Sequence, residues 1–103
     1  MSNQFGEFRY EDRKSELILK KDGRTGTRQN TFNLQNAEEY TGEWYGKMRH
    51  GKGKNVLRDG STYEGYWLEN KKNGFGRYIY HNADVYLGYW KNDLMDGQGT
   101  YIH

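Results

Sequence analysis

Residues 40–62 read YTGEWYGKMRHGKGKNVLRDGST, and their opening phrase returns as YEGYW from Tyr63 and YLGYW from Tyr86. A shift of 23 residues aligns Tyr40, Tyr63 and Tyr86, then Gly42, Gly65 and Gly88, then Trp44, Trp67 and Trp90. The same shift aligns Gly51, Gly74 and Gly97, and after them Gly53, Gly76 and Gly99. Self-similarity at a fixed period marks a repeat architecture, in which each unit buries its apolar face against its neighbours. The outer residues of YxGxW stand two and four places apart, so in a strand all three point to one face. Glycine weakens a strand, and a fixed strand glycine marks the close approach of something bulky. The GxG segment therefore predicts a second strand whose bare backbone receives the Tyr and Trp rings of its own or the next hairpin.

The connecting residues fit that picture. Positions 47, 70 and 93 hold Lys, Asn and Asp, with Gly46 beside the first, while His50, Asn73 and Asp96 each directly precede a glycine. Asn and Asp tolerate left-handed backbone and close side-chain turns better than other non-glycine residues. Each unit thus reads as strand, polar turn, strand and short loop. The loop carries Asp59-Gly60 in the first copy and Asn82-Ala83 in the second, so a loop of different shape is expected at Ala83.

In their spacing and their Tyr, Gly and Trp frame, these three copies resemble MORN repeats, at 40–62, 63–85 and 86–103. The departures are Lys47, Asn70 and Asp93, where the family often has glycine, and Ala83. The resemblance implies an all-β fold, a single-layer stack of antiparallel β-hairpins that is rod-like or gently curved. It also implies a non-catalytic scaffold that joins protein subunits, since similar proteins serve cytoskeletal or membrane-apposed assemblies, among them radial-spoke heads of the ciliary and flagellar axoneme. Binding to anionic phospholipid is the alternative it brings, and MORN repeats also occur beside lipid-kinase and methyltransferase domains.

Outside the array the register is fainter. Thr31 to Glu38 falls on Arg77 to Asp84, with Phe32 in the aromatic place, Leu34 two later and Asn36-Ala37 in the loop, whereas Arg28 and Asn30 replace the GxG pair. Residues 30–39 are read as a degenerate half-repeat. The run Glu16-Leu17-Ile18-Leu19-Lys20 followed by Asp22-Gly23 predicts a hairpin of 16–21 with 24–28 that caps the stack. Residues 1–15, with Phe5, Phe8 and Tyr10 among charges, show no period and read as an irregular tail or partner-binding arm. The expected organisation is a tail (1–15), a cap with half-repeat (16–39) and the array (40–103). At the other end, the register closes a second strand at His103, which predicts an exposed edge and aromatic surface that another protein, or a second copy, sits against.

Composition narrows the function. The 103 residues carry a formal net charge of +2, too balanced for a generic nucleic-acid binder. No cysteine is present for a disulfide or thiolate metal site, and no apolar run approaches the roughly 20 residues that span a bilayer. A soluble, cytoplasmic protein is expected. No catalytic constellation, cofactor motif or metal-ligand spacing emerges. His50, His81 and His103 are expected as exposed turn or terminal residues. Gly51-Lys52-Gly53-Lys54 lacks the GxxxxGK[ST] pattern of a phosphate loop. Tyr66 and Tyr89 stand on the face opposite the Tyr and Trp row, and with Tyr101 and His103 they are the candidate partner contacts. Lys47, Arg49, Lys52 and Lys54 concentrate in the first hairpin and are the candidate lipid contacts.

Overall fold

The computed structural model describes residues 6–27, 30–33 and 37–103. Among the described residues, helix α1 (Arg13–Asp22) precedes seven strands: β1 (Asn30–Asn33), β2 (Glu39–Tyr45), β3 (Met48–Val56), β4 (Thr62–Leu68), β5 (Lys71–Ile79), β6 (Val85–Lys91) and β7 (Leu94–Ile102). They form one antiparallel sheet in sequence order. The aligned copies are thus hairpins β2–β3, β4–β5 and β6–β7, as the 23-residue period requires. Strand β1 meets β2 with Asn30 opposite Gly42 and Phe32 opposite Tyr40. That register matches Gly53 opposite Gly65 and Asn55 opposite Tyr63 one hairpin later. Arg28, Leu34 and Asn36 of the half-repeat, like Phe5, lie outside the described residues.

The glycines divide into two kinds, which spacing alone does not separate. Gly42, Gly53, Gly65, Gly76, Gly88 and Gly99 pair directly across successive strands, making one bare row across the sheet. Tyr40, Tyr63 and Tyr86 lie over this row, and a Cβ at Gly53, Gly76 or Gly99 would overlap the phenol of its own hairpin. Each phenol reaches the backbone oxygen three residues on, Tyr40 to Glu43 at 2.9 Å and Tyr63 to Tyr66 at 2.9 Å. The other glycines of the frame, Gly51, Gly74 and Gly97, do not lie under rings as expected. They have φ of 103°, 101° and 71° and sit in bulges, where Glu43, Tyr66 or Tyr89 faces three residues of the next strand. A bulge residue in this left-handed region favours glycine because it has no Cβ to clash.

The tight turns vary with their residues. Glu69 and Asn70, like Asn92 and Asp93, all have positive φ, the pattern of a type I′ hairpin turn, whose twist suits the flanking strands. At the first turn only Gly46 has positive φ, so glycine replaces the asparagine solution. Asn70 and Asp93 also lock neighbouring hairpins together. Arg49 N donates to Asn70 Oδ1 at 2.8 Å while Asn70 N donates to Arg49 O at 3.0 Å. Lys72 and Asp93 repeat both bonds, at 2.8 and 3.1 Å. Glycine at either place has no side chain to accept, which explains these two departures from the family frame.

Two further expectations give way. Ala83 adopts φ 73° and its loop closes like that at Gly60, with Ala83 N donating to Tyr80 O as Gly60 N donates to Leu57 O. Pairing on both sides imposes the loop, and Ala83 bears the strain. The predicted hairpin over 16–21 and 24–28 is instead α1. Asp12 caps it by accepting from Ser15 N at 3.0 Å, and Gly23, at φ 86°, closes it by donating to Leu19 O. Glu16 in the first turn and Lys20 and Lys21 in the last suit the helix dipole. Asp22-Gly23 is a helix end rather than a hairpin turn.

Candidate functional site

The sheet has two unlike faces. On the first, the core is a file of rings in which tyrosines and tryptophans alternate: Trp44, Tyr40, Trp67, Tyr63, Trp90, Tyr86. Successive centroids lie 4.9 to 5.6 Å apart with planes crossed at 78° to 88°. Edge-to-face contacts of this kind add about 0.5–1.5 kcal/mol each beyond area burial. Tyr40 and Tyr63 therefore each bridge their own tryptophan and that of the next hairpin, which makes the stack continuous. Trp67 Nε1 donates to Gly53 O at 3.2 Å. Above the file, the Arg49 guanidinium lies 4.4 Å from the Trp67 ring and the Lys72 ammonium 5.2 Å from Trp90. Burial lowers the Arg49 pKa, and in the same layer raises those of Tyr40 and Tyr63 well above the usual phenol value.

On the second face lies the N-terminal segment that reads as a tail. Phe8 stacks on Phe75 with centroids 5.7 Å apart, and Arg77, which pairs with Glu64 at 2.8 Å, also donates to Gly6 O. Helix α1 then crosses the sheet. Ser15, its single buried residue, rests on Gly74 and accepts from Phe75 N at 2.7 Å. This bond has a counterpart in the preceding hairpin, where Lys52 N donates to Glu43 Oε1 at 2.7 Å. The bulge leaves an amide that needs an acceptor, and the second copy obtains its acceptor from α1. Tyr66 donates to Glu16 at 2.6 Å and Tyr89 to Asp12 at 2.8 Å.

The candidate partner contacts Tyr66 and Tyr89 are thus already engaged. Tyr66 is fully buried and Tyr89 half-buried, beneath the chain's own helix rather than in solvent. Tyr101 and His103 are exposed, and both approach Asp84, the Tyr101 hydroxyl at 3.2 Å and His103 Nδ1 at 3.5 Å. His50, expected in an exposed turn, lies in β3 with no exposed surface. Its Nδ1 accepts from Glu69 N at 3.3 Å, so the proton sits on Nε2, which lies 3.2 Å from Asp22 Oδ2 and from Arg24 O. Arg24, bonded to Asp22 at 2.7 Å, holds that carboxyl down to about 2.

The four candidate lipid contacts do not share a face. Lys47 is exposed in the turn, Arg49 stacks over Trp67, and Lys52 pairs with Glu16 at 3.3 Å on the helix side. Lys54 borders a 540 Å³ cleft that also presents Glu7, Glu39 and Glu64. Alternation keeps Lys52 and Lys54 together on the helix side, where both border that cleft, and the bulge at Gly51 separates them from Arg49 on the ring side.

The third surface is β7, exposed along its whole length. It carries Leu94 and Ile102, 70 and 51 % exposed, with Met95 and Tyr101 beside them. In the interior of the sheet, β5 receives β6 with Gly74 opposite Trp90, Gly76 opposite Gly88 and Tyr78 opposite Tyr86. Strand β7 presents the equivalent Gly97, Gly99 and Tyr101, so its edge is chemically matched to a strand of pattern YxGxW.

The MORN repeat model matches residues 40–62, 63–85 and 86–103, the three hairpins just described. The chain belongs to the MORN-repeat family. Such repeats are generally non-catalytic modules that bind proteins or membranes. No curated protein sequence matches the chain.

Proposed function

We propose that this MORN-repeat chain is a non-catalytic scaffold subunit that joins other proteins in a larger assembly, and that a partner strand docks on β7. The observation that carries the reading is the exposed β7 edge with its Leu94, Met95, Tyr101 and Ile102 side chains. An edge strand offers unpaired backbone donors and acceptors, and strand addition is a common mode of recognition. The rest of the molecule suits a passive platform, because continuous ring packing and paired glycines leave the sheet one way to stack. Because proteins with similar repeats serve cytoskeletal assemblies, radial-spoke heads among them, cytoskeletal and axonemal assemblies are where its partners are sought. The phospholipid reading is not favoured, since Arg49 lies over Trp67 on one face while Lys52 and Lys54 on the other stand among Glu7, Glu16 and Glu64.

The test compares the native chain with a Met95→Lys, Ile102→Lys variant in pull-downs from the source cells, with proteins identified by mass. A defined set of partners recovered by the native chain and lost by the folded variant supports docking on β7. Equal recovery by both chains removes β7 from the proposal, and light scattering on the native chain identifies self-association as the competing outcome.

A further inference from the structure

The contact between α1 and the sheet is specific in its polar groups and poor in apolar burial. Ser15 is the helix's one buried residue, Leu17 is 52 % exposed, and ten residues are too few for a helix to be stable in isolation. Clefts of about 340 and 400 Å³ run along its two sides, the first lined by Glu16, Leu19 and Lys52, the second by Lys14, Ile18 and Tyr89. Polar matching supplies the specificity instead. The sheet offers donors, and the helix meets them with acceptors at spacings of three and four residues. Asp12 takes the Tyr89 hydroxyl, Ser15 the Phe75 amide, and Glu16 both the Tyr66 hydroxyl and the Lys52 ammonium. Near the C-terminal end of α1, Asp22 meets His50. Hydrogen bonds to charged groups are about twice as strong as neutral ones, so the face selects for carboxylates. Ser15 packs directly on Gly74, where an added Cβ would meet its side chain.

We propose that α1 occupies, within its own chain, a docking surface for an acidic partner helix of the same spacing: a carboxylate, a small hydroxyl residue three places on and a second carboxylate next to it. The partner binds by displacing α1, and its larger apolar residues fill the flanking clefts that α1 leaves open. This surface lies across the sheet face, separate from the β7 edge, so either can fail without the other. Displacement is favoured by the thinness of the α1 contact and opposed by its tethering, which holds it at an effective concentration on the order of millimolar.

The test uses the full chain and a fluorescent synthetic peptide of residues 8–24 as the probe. In an Asp12→Ala, Glu16→Ala chain the internal helix is weakened while every sheet donor remains, and the peptide is expected to bind it at least tenfold more tightly than wild type. Adding Tyr66→Phe and Tyr89→Phe is expected to remove that gain. Wild-type chain gives a second readout that requires no variant to fold. Excess unlabelled peptide should speed hydrogen exchange at the Glu16 and Gly23 amides of the labelled chain, and a peptide carrying Asp12→Asn and Glu16→Gln should not. No binding by the weakened chain with its tryptophan emission native overturns the proposal, as does binding insensitive to the tyrosine changes. If the weakened chain unfolds, unchanged exchange in wild type under about 1 mM peptide overturns it alone.

Discussion

Ala83 holds φ 73° without the freedom of glycine, in a loop otherwise like that at Gly60. The left-handed conformation costs a residue with a Cβ about 1–2 kcal/mol, and glycine returns about 0.4–1 kcal/mol of this through its more flexible unfolded state. Ala83→Gly is therefore expected to stabilise the chain by up to about 1.6 kcal/mol, read as a higher urea midpoint at unchanged slope. Buried phenols set the alkaline limit. Burial raises the pKa of Tyr40 and Tyr63 above the value of about 10 that they have when unfolded. Their contribution is complete below pH 10 and is lost as pH rises toward their folded values. Stability should be insensitive to these groups up to about pH 9 and fall above pH 10, with phenolate absorbance rising in step with unfolding. A gradual rise uncoupled from unfolding would show the rings to be open to solvent.

At the scale of the element, the turns do more than reverse the chain. Asn70 Oδ1 and Asp93 Oδ1 each accept the backbone amide 21 residues earlier, tying one hairpin to the next. Asn70→Ala removes that acceptor and leaves a positive φ on a residue that resists it, so it is expected to cost about 1–2 kcal/mol. Asn70→Gly relieves the backbone but still lacks the acceptor, and is expected to lie between alanine and wild type. Thermal melts of the three chains check the order. Helix α1 teaches the opposite lesson about reading elements. Its short apolar run, Leu17-Ile18-Leu19, is compatible with a strand or a helix, and Asp22-Gly23 serves equally as hairpin turn or helix end. The Asp12 cap and the bulge amide of Phe75, 60 residues away, select the helix.

Across the whole molecule, stability in a stack is a sum of unit and neighbour terms, so equivalent substitutions should differ with position. Gly76 and Gly99 both lie beneath a tyrosine, yet Gly76 is paired on both sides and Gly99 belongs to the exposed β7. Adding a methyl group to a filled site costs about 1–3 kcal/mol. Gly76→Ala is expected near the upper end of that range and Gly99→Ala well below it, as measured by urea unfolding followed through tryptophan emission. Equal losses would mean that the stack unfolds with no distinction between interior and edge.

The 23-residue period by itself determined the sheet, its strand order and the ring file, because each depends on contacts between adjacent units that carry the same residues, whereas the bulges at Gly51, Gly74 and Gly97 emerged only in the fold. Only the tertiary structure decided what covers the second face. Residues 6–27 belong to no repeat, and their contacts reach positions up to 77 residues away, such as Glu16 with Tyr66 and Asp12 with Tyr89. Periodicity shows that those tyrosines stand opposite the tryptophans. It carries no record of the helix that meets them, since hydrogen bonds between non-repeating and repeating segments leave no pattern along the chain.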